Sequence, residues 1–173
     1  MKASLGRRAE GLLKEAKGRR LTLASVESCT AGSLGVLLAD APGATESFHG
    51  GFIVYTKANK IAAVGVPEAL IAAHTAVSRE VAEAMAQGGL ARCPADIAIA
   101  VTGVTGPEPD EDGNPVGLVH IAAACRDGRI SHIERNFGQR SREENRHLSL
   151  EAALGVLEVV VRASKAAPVG EPG

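Results

Sequence analysis

Residues 95–103, ADIAIAVTG, are apolar almost without interruption. A strand with one face in water alternates polar and apolar side chains, so a strand with no polar face has to be covered on both sides. That single run demands helices above and below a sheet. The rest of the chain supplies them. Leu5, Leu12, Leu13 and Ala16 form one helical stripe, RRLTLASV reads as a strand, and AGSLGVLLADA reads as a helix stopped by Pro42-Gly43. GGFIVYT is a second strand, KANKIAAVGV a short helix ending near Gly65, and Pro67 opens another helical turn. Ser78 is placed to cap a helix that turns Val81, Ala84 and Met85 inward. Asp127-Gly128 joins two strands as a hairpin, and Ser141 with Glu144 makes a capping box ahead of a long helix to about Arg162. Helices and strands therefore alternate. The expected fold is α/β, a three-layer α/β/α sandwich on a mixed, mainly parallel sheet. Residues 1–165 are expected to form one domain and 166–173 a flexible tail.

Composition narrows the function classes. Aromatic residues are 2% of the 173, too few for stacking on bases, and the net charge of −1 gives no general attraction to nucleic acid or anionic membrane. The basic N-terminal segment lacks the apolar stretch of a signal peptide, and no window has the apolar length of a membrane span, so a cytoplasmic location is expected. Cys29, Cys93 and Cys125 are odd in number and widely spaced, which argues against a disulfide framework or a zinc knuckle. The five histidines show no paired ligand spacing, so no metal site is expected.

In open α/β sheets ligands collect at the carboxyl ends of strands. Three polar clusters fall there: Glu27-Ser28-Cys29-Thr30, then Tyr55, Thr56, Lys57 and Lys60, then the loop from Thr102 to Gly117. Ser28 reads either as a helix cap or as a nucleophile facing backbone N–H groups able to hold an oxyanion. No histidine stands at a recognisable spacing from it, but a desolvated Lys60 would lose its charge and accept the serine proton. Cys29 is the rival nucleophile, and the Tyr55 hydroxyl is a candidate to orient Ser28 or relay a proton. Lys57 and Lys60 are three apart on the expected helix, so both can face one way. Thr102, Gly103, Thr105 and Gly106 offer hydroxyl and N–H groups to a phosphate or ribose, in a loop without the Gly-Lys-Ser/Thr ending of a Walker motif. DEDGN reads as a solvated turn, since the glutamate a calcium loop requires is missing.

The series ESCTAG (27–32), GGFIVYTKANKIAAVGV (50–66), HTAVS (74–78), AVTGVTGP (100–107), NPVG (114–117) and GQR (138–140) resembles the nicotinamide mononucleotide deamidase family, the CinA C-terminal domain, from about Leu21 to Leu154. The resemblance implies hydrolysis of the carboxamide of nicotinamide mononucleotide to nicotinic acid mononucleotide and ammonia, a step of pyridine nucleotide salvage that needs no cofactor. It puts Ser28, Lys60 and Tyr55 in the places of the family's catalytic serine, lysine and tyrosine. Glu27, Cys29, Thr30, Ala31 and Gly32 would then line the substrate, with N–H groups near Cys29 to Gly32 holding the oxyanion. Arg140, or else Arg146, would contact the phosphate. The chain departs from the family pattern at Lys57, usually Asn, and at Gln139, usually Asp, and its GPEPDEDGNPVG loop is poorer in glycine. Those departures leave open a catalytically silent nucleotide-binding module, or an amidohydrolase for another small amide. The expected partners are a small mononucleotide and a second copy of the chain, a dimer being preferred, with no nucleic acid or membrane.

Overall fold

A computed structural model describes residues 2–165, and the tail expected at 166–173 lies outside the described residues. The apolar run becomes β3 (Ile97–Gly103), the middle strand of a five-stranded sheet. From one edge to the other the order is β2 (Phe48–Ile53), β1 (Leu23–Glu27), β3, β4 (Leu118–Cys125) and β5 (Ile130–Asn136). β1 is parallel to both β2 and β3, while β4 is antiparallel to β3 and to β5. Only β4 thus runs against the other strands, and the mixed α/β sandwich is as expected.

Each face of β3 meets its own helices. Ile97, Ile99 and Val101 pack with α1 (Lys2–Gly18), α2 (Ser33–Ala39) and α7 (Arg142–Ala163), through Leu13, Leu34 and Leu154 among others. Ala98 and Ala100 face α4 (Lys57–Val64), α5 (Glu68–His74) and α6 (Arg79–Ala91), whose Val64, Ile71 and Met85 fill the second core. Leu154 is fully buried, and truncating such a side chain to alanine costs about 2–5 kcal/mol.

The caps fall where the sequence puts them. Ser78 Oγ accepts the Val81 N–H at 3.3 Å, and Ser141 and Glu144 bond reciprocally at 3.2 and 3.0 Å. Asp127 accepts the Arg129 N–H at 3.1 Å to close the hairpin turn. Three details differ from expectation. β2 begins at Phe48, ahead of its glycines, and ends at Ile53; Gly51 lies inside the strand, where a Cβ would collide with the Ser25 carbonyl. α3 (Ala44–Ser47) is one short turn inside what reads as a loop. Ala84 is only partly buried, Ala82 taking the inward place beside Val81. Gly88 of α6 sets how closely two helices approach. A side chain there would strike the Val64 carbonyl, so its absence lets α6 seat the end of α4.

Candidate active site

β1 and β2 end side by side, and the chain leaves β1 through Ser28 to Gly32. The Ser28 N–H donates to the Val101 carbonyl at 2.9 Å, extending the ladder with β3 by one residue. Two successive left-handed residues, Ala31 (φ 50°) and Gly32 (φ 91°), then turn the backbone sharply into α2. An alanine in that region carries about 1 kcal/mol of strain. The turn folds the first N–H groups of α2 back over Glu27. Its buried carboxylate accepts Gly32 N–H at 2.9 Å, Leu34 N–H at 3.0 Å and Gly35 N–H at 2.7 Å, and the Ser25 hydroxyl lies 3.2 Å away.

This arrangement corrects part of the sequence reading. Glu27 is a structural anchor rather than a substrate contact, since both of its oxygens are occupied. Gly32 spends its N–H on Glu27, and Ala31 spends its own on the Ser28 carbonyl at 3.0 Å. Of the backbone N–H groups from Ser28 to Gly35, only those of Cys29 and Thr30 have no acceptor among the described residues. They are the ones free to hold an oxyanion.

α4 brings the base. Thr56 Oγ1 caps the helix by accepting the Asn59 N–H, and Gly65 ends it in a left-handed conformation. Lys60 projects from the inner side with 2% of its surface exposed, its Nζ 2.8 Å from Ser28 Oγ and 3.1 Å from the Val54 carbonyl. Desolvation pushes the Lys60 pKa down from 10.5 to about 8, and the nearby Lys57 charge adds to that. Cys29 is the neighbour that would hold it up, but burial pushes that thiol up to about 12. The thiol is therefore neutral where Lys60 titrates and does little to retain the ammonium. The same protonation makes Cys29 a poor nucleophile.

These distances make a hydrogen-bond switch. A charged Lys60 donates to both Ser28 Oγ and the Val54 carbonyl, leaving the serine proton for the Tyr55 carbonyl at 3.4 Å. A neutral Lys60 keeps one N–H on Val54 and turns its lone pair to Ser28, which then donates to it. Tyr55 thus meets the serine through its backbone, while its side chain is 59% exposed. A role for the hydroxyl in orienting Ser28 has no contact behind it.

Lys57 does not share the surroundings of Lys60. Its Nζ lies 2.7 Å from Glu111 and 2.8 Å from Asp112, and these carboxylates push its pKa up to about 12. Asp110 closes the same loop by accepting the Asp112 and Asn114 N–H groups, and the Asn114 amide reaches Thr75 Oγ1 at 3.1 Å. The acidic turn is thus the counterion of Lys57, a contact no local pattern announces.

The third cluster contributes less than expected. Thr102 is buried and donates its hydroxyl to the Ala76 carbonyl at 2.8 Å, and Gly103 is paired with Val119 inside the sheet. Thr105 is buried too, its carbonyl accepting the Asn145 amide at 3.3 Å, and the Gly106 carbonyl accepts from Arg142 at 2.9 Å. Arg140 is exposed and turned to the Phe137 carbonyl at 3.0 Å, and Gln139 reaches the Pro107 carbonyl. Arg146, on the second turn of α7, is different. Its Nε is buried without a hydrogen-bond partner among the described residues, and its charge is felt by the Cys29 thiol. Thr30 Oγ1 and Asn145 Oδ1 are likewise buried and unpartnered among the described residues. No motif in the sequence singles out Asn145; it is found only through its burial. Among the described residues no group of three or more His, Cys, Asp or Glu is arranged to hold a metal ion, and no helix is long and apolar enough to cross a membrane.

Known proteins share this arrangement of strands and helices. The chain is 42% identical over 152 residues to a CinA-like protein of Synechococcus sp. (strain RCC307), covering 87% of this chain and 36% of that protein. It is 42% identical over 147 residues to a putative competence-damage inducible protein of Caldicellulosiruptor bescii, covering 85% and 34%. The chain therefore spans about a third of the length of these curated relatives. Among solved structures, the competence/damage inducible protein CihA from Agrobacterium tumefaciens superposes with a TM-score of 0.87 at 33% identity, covering 91% of this chain and 95% of the other. A CinA superfamily protein from Escherichia coli gives 0.85 at 30% identity, covering 91% and 90%. The model of the CinA C-terminal domain matches residues 6–161, and the chain belongs to that family.

Proposed function

We propose that this chain is an amidohydrolase that cleaves the carboxamide of nicotinamide mononucleotide, giving nicotinic acid mononucleotide and ammonia. The observation that carries the reading is the 2.8 Å contact between Ser28 Oγ and a buried Lys60 whose pKa is depressed to about 8. A hydroxyl needs a base to attack an amide, and an uncharged amine at hydrogen-bond distance is one. Ser28 gives its proton to Lys60 Nζ as Oγ bonds to the amide carbon, and the Cys29 and Thr30 N–H groups receive the oxyanion. Lys60 passes the proton to the departing nitrogen, the C–N bond breaks, and ammonia leaves an acyl-serine. Water then attacks that ester, giving one proton through Lys60 back to Ser28 Oγ and releasing the acid.

Two features support the mononucleotide as substrate. Arg146 is a partly buried cation with an unspent Nε, suited to a phosphate, whereas Arg140 is turned to a backbone carbonyl. Ile53 and Tyr55 are 57% and 59% exposed at the end of β2, an apolar surface beside the serine for a pyridine ring. A silent module is disfavoured at Lys57, since Glu111 and Asp112 offset the added charge.

The test is ammonia release from nicotinamide mononucleotide by the purified protein, repeated with Ser28→Ala and Cys29→Ala. The reading requires release that Ser28→Ala abolishes and Cys29→Ala retains. Binding without ammonia would indicate the silent module, and the reverse pattern of variants would overturn the nucleophile. Arg146→Met should raise KM for the mononucleotide and leave it unchanged for the nucleoside lacking the phosphate.

A further inference from the structure

Ser28 is 5% exposed and Lys60 2%, so the facing hydroxyl and amine are covered, and a mononucleotide reaches them only when something moves aside. Most of what surrounds them is fixed through backbone. The Ser28 N–H is held by Val101, the Val54 N–H by the Glu27 carbonyl at 2.7 Å, and the turn after Ser28 by the three N–H groups on the Glu27 carboxylate. The loop 104–117, from β3 to β4, is held differently. Its roots are firm: Val104 and Val116 are buried with Val77 in a small apolar cluster, and the Gly117 N–H donates to the Val104 carbonyl at 2.8 Å. Its tip, 108–114, is tied to the rest of the described residues by side chains, Glu111 and Asp112 to Lys57 and the Asn114 amide to Thr75 Oγ1. The strand order puts this loop across the site. β1 lies between β2 and β3, the loop is rooted on β3 and β4, and Lys57 opens α4 shortly after β2. A loop rooted on one side of β1 and bonded on the other spans the end of β1, where Ser28 is. Ala24 and Val26 alternate into the core beneath α4 and α6, and Ser28 continues that side of the sheet, meeting Lys60 of α4. The anchors of the tip, Lys57 and Thr75, belong to the same layer.

We infer, resting on the reading of Ser28 as the nucleophile, that residues 108–114 are a strap closed over the serine, that Lys57 is its latch, and that breaking the Lys57 ion pairs opens the way to the site. The latch is weak by construction. The Glu111 side chain is 74% exposed and that of Lys57 35%, and ion pairs so close to water hold little and yield to salt. Firm roots and a lightly held tip suit a segment that opens locally while the sheet stays intact. The other walls lack that freedom, because moving them breaks the β1 to β3 ladder or the hydrogen bonds of the buried Glu27.

The test is the rate at which phenylmethanesulfonyl fluoride labels Ser28, followed by intact mass at about pH 9, above the Lys60 midpoint of about 8. In that reaction Ser28 Oγ bonds to sulfur, fluoride leaves, and Lys60 takes the proton. Lys57→Met should raise the labelling rate about tenfold, and so should Glu111→Gln with Asp112→Asn, since both remove the two ion pairs that keep the strap shut. These variants change the charge around Lys60 in opposite directions, so a shared increase belongs to the strap and not to the base. At roughly 1 M salt, where charges are screened beyond about 3 Å, the wild type should approach the variants. Arg79→Met, which removes an ion pair with Glu83 on α6, should leave the rate unchanged. Hydrogen exchange reads the strap without chemistry at Ser28: amides of 108–114 should exchange about tenfold faster in Lys57→Met, while Ile97–Gly103 stays protected. At saturating nicotinamide mononucleotide, ammonia release by Lys57→Met should stay close to wild type, because bound substrate is already past the strap. Equal labelling and exchange in all these proteins overturns the inference, and so do opposite shifts of the labelling rate in the two latch variants. Absence of label on Ser28 in every protein overturns the catalytic reading instead, and the exchange rates then decide the strap by themselves.

Discussion

Lys57 and Lys60 are one turn apart on the same helix and carry the same side chain, yet they are driven in opposite directions. Lys57 reaches the surface, meets two carboxylates of the acidic loop, and has its pKa raised to about 12. Lys60 points inward to a hydroxyl and a carbonyl, bonds to no carboxylate among the described residues, and has its pKa lowered by burial to about 8. The helix supplies only the direction of each stem. What an amine can do chemically is decided by whether its end finds an anion or a neutral acceptor.

The sharpest way to break this contrast is to delete each amine in turn. Lys60→Met should lower the rate of ammonia release by roughly a thousandfold or more, as Ser28→Ala does, while Lys57→Met stays within about threefold. An equal loss in both would end the distinction. Stability against pH offers the next test, read by urea unfolding. A lysine whose pKa falls from 10.5 to about 8 on folding costs about 3 kcal/mol at neutral pH, because the unfolded chain holds the proton more tightly. That penalty disappears between pH 8 and 10.5, so the stability of the wild type relative to Lys60→Met should climb through that window. Lys57 has the opposite sign. Its folded pKa is raised, so its contribution is complete below 10.5 and fades as pH approaches 12, and its exposure keeps it small.

Smaller effects sharpen the comparison. kcat/KM should rise with pH to a plateau above about 8, as Lys60 loses its proton. Lys57→Met removes a like charge, so the rising limb should move to higher pH by less than about one unit. Replacing Glu111 and Asp112 by their amides leaves Lys57 unopposed and should move the limb the other way, by about a few tenths of a unit. A limb that ignores all three substitutions would mean that the two amines are not electrostatically linked.

The same pair of lysines marks where sequence reading stops. The capping box at Ser141, the Ser78 cap, the Asp127-Gly128 turn and the two-faced β3 are local signals, and each is found in place. Ser28 and Lys60 stand out by position at neighbouring strand ends and by resemblance, and they meet at 2.8 Å. Lys57 and Asp112 are 55 positions apart, and nothing in either segment signals that they touch. Glu27 misleads for a related reason. A carboxylate at a strand end looks available until the left-handed turn at Ala31 and Gly32 folds three N–H groups onto it. Tyr55 draws attention for its ring, but the atom that meets Ser28 is the carbonyl every residue has.

The fold-back onto Glu27 also governs which way round a ligand can sit. A helix start normally draws negative ligands, and α2 begins within a few residues of Ser28. With Glu27 built in as a permanent plug, incoming anions find that berth already taken. On the proposed function, a mononucleotide brings its negative end to the α7 side, toward Arg146, and turns the carboxamide of its cationic ring to Ser28.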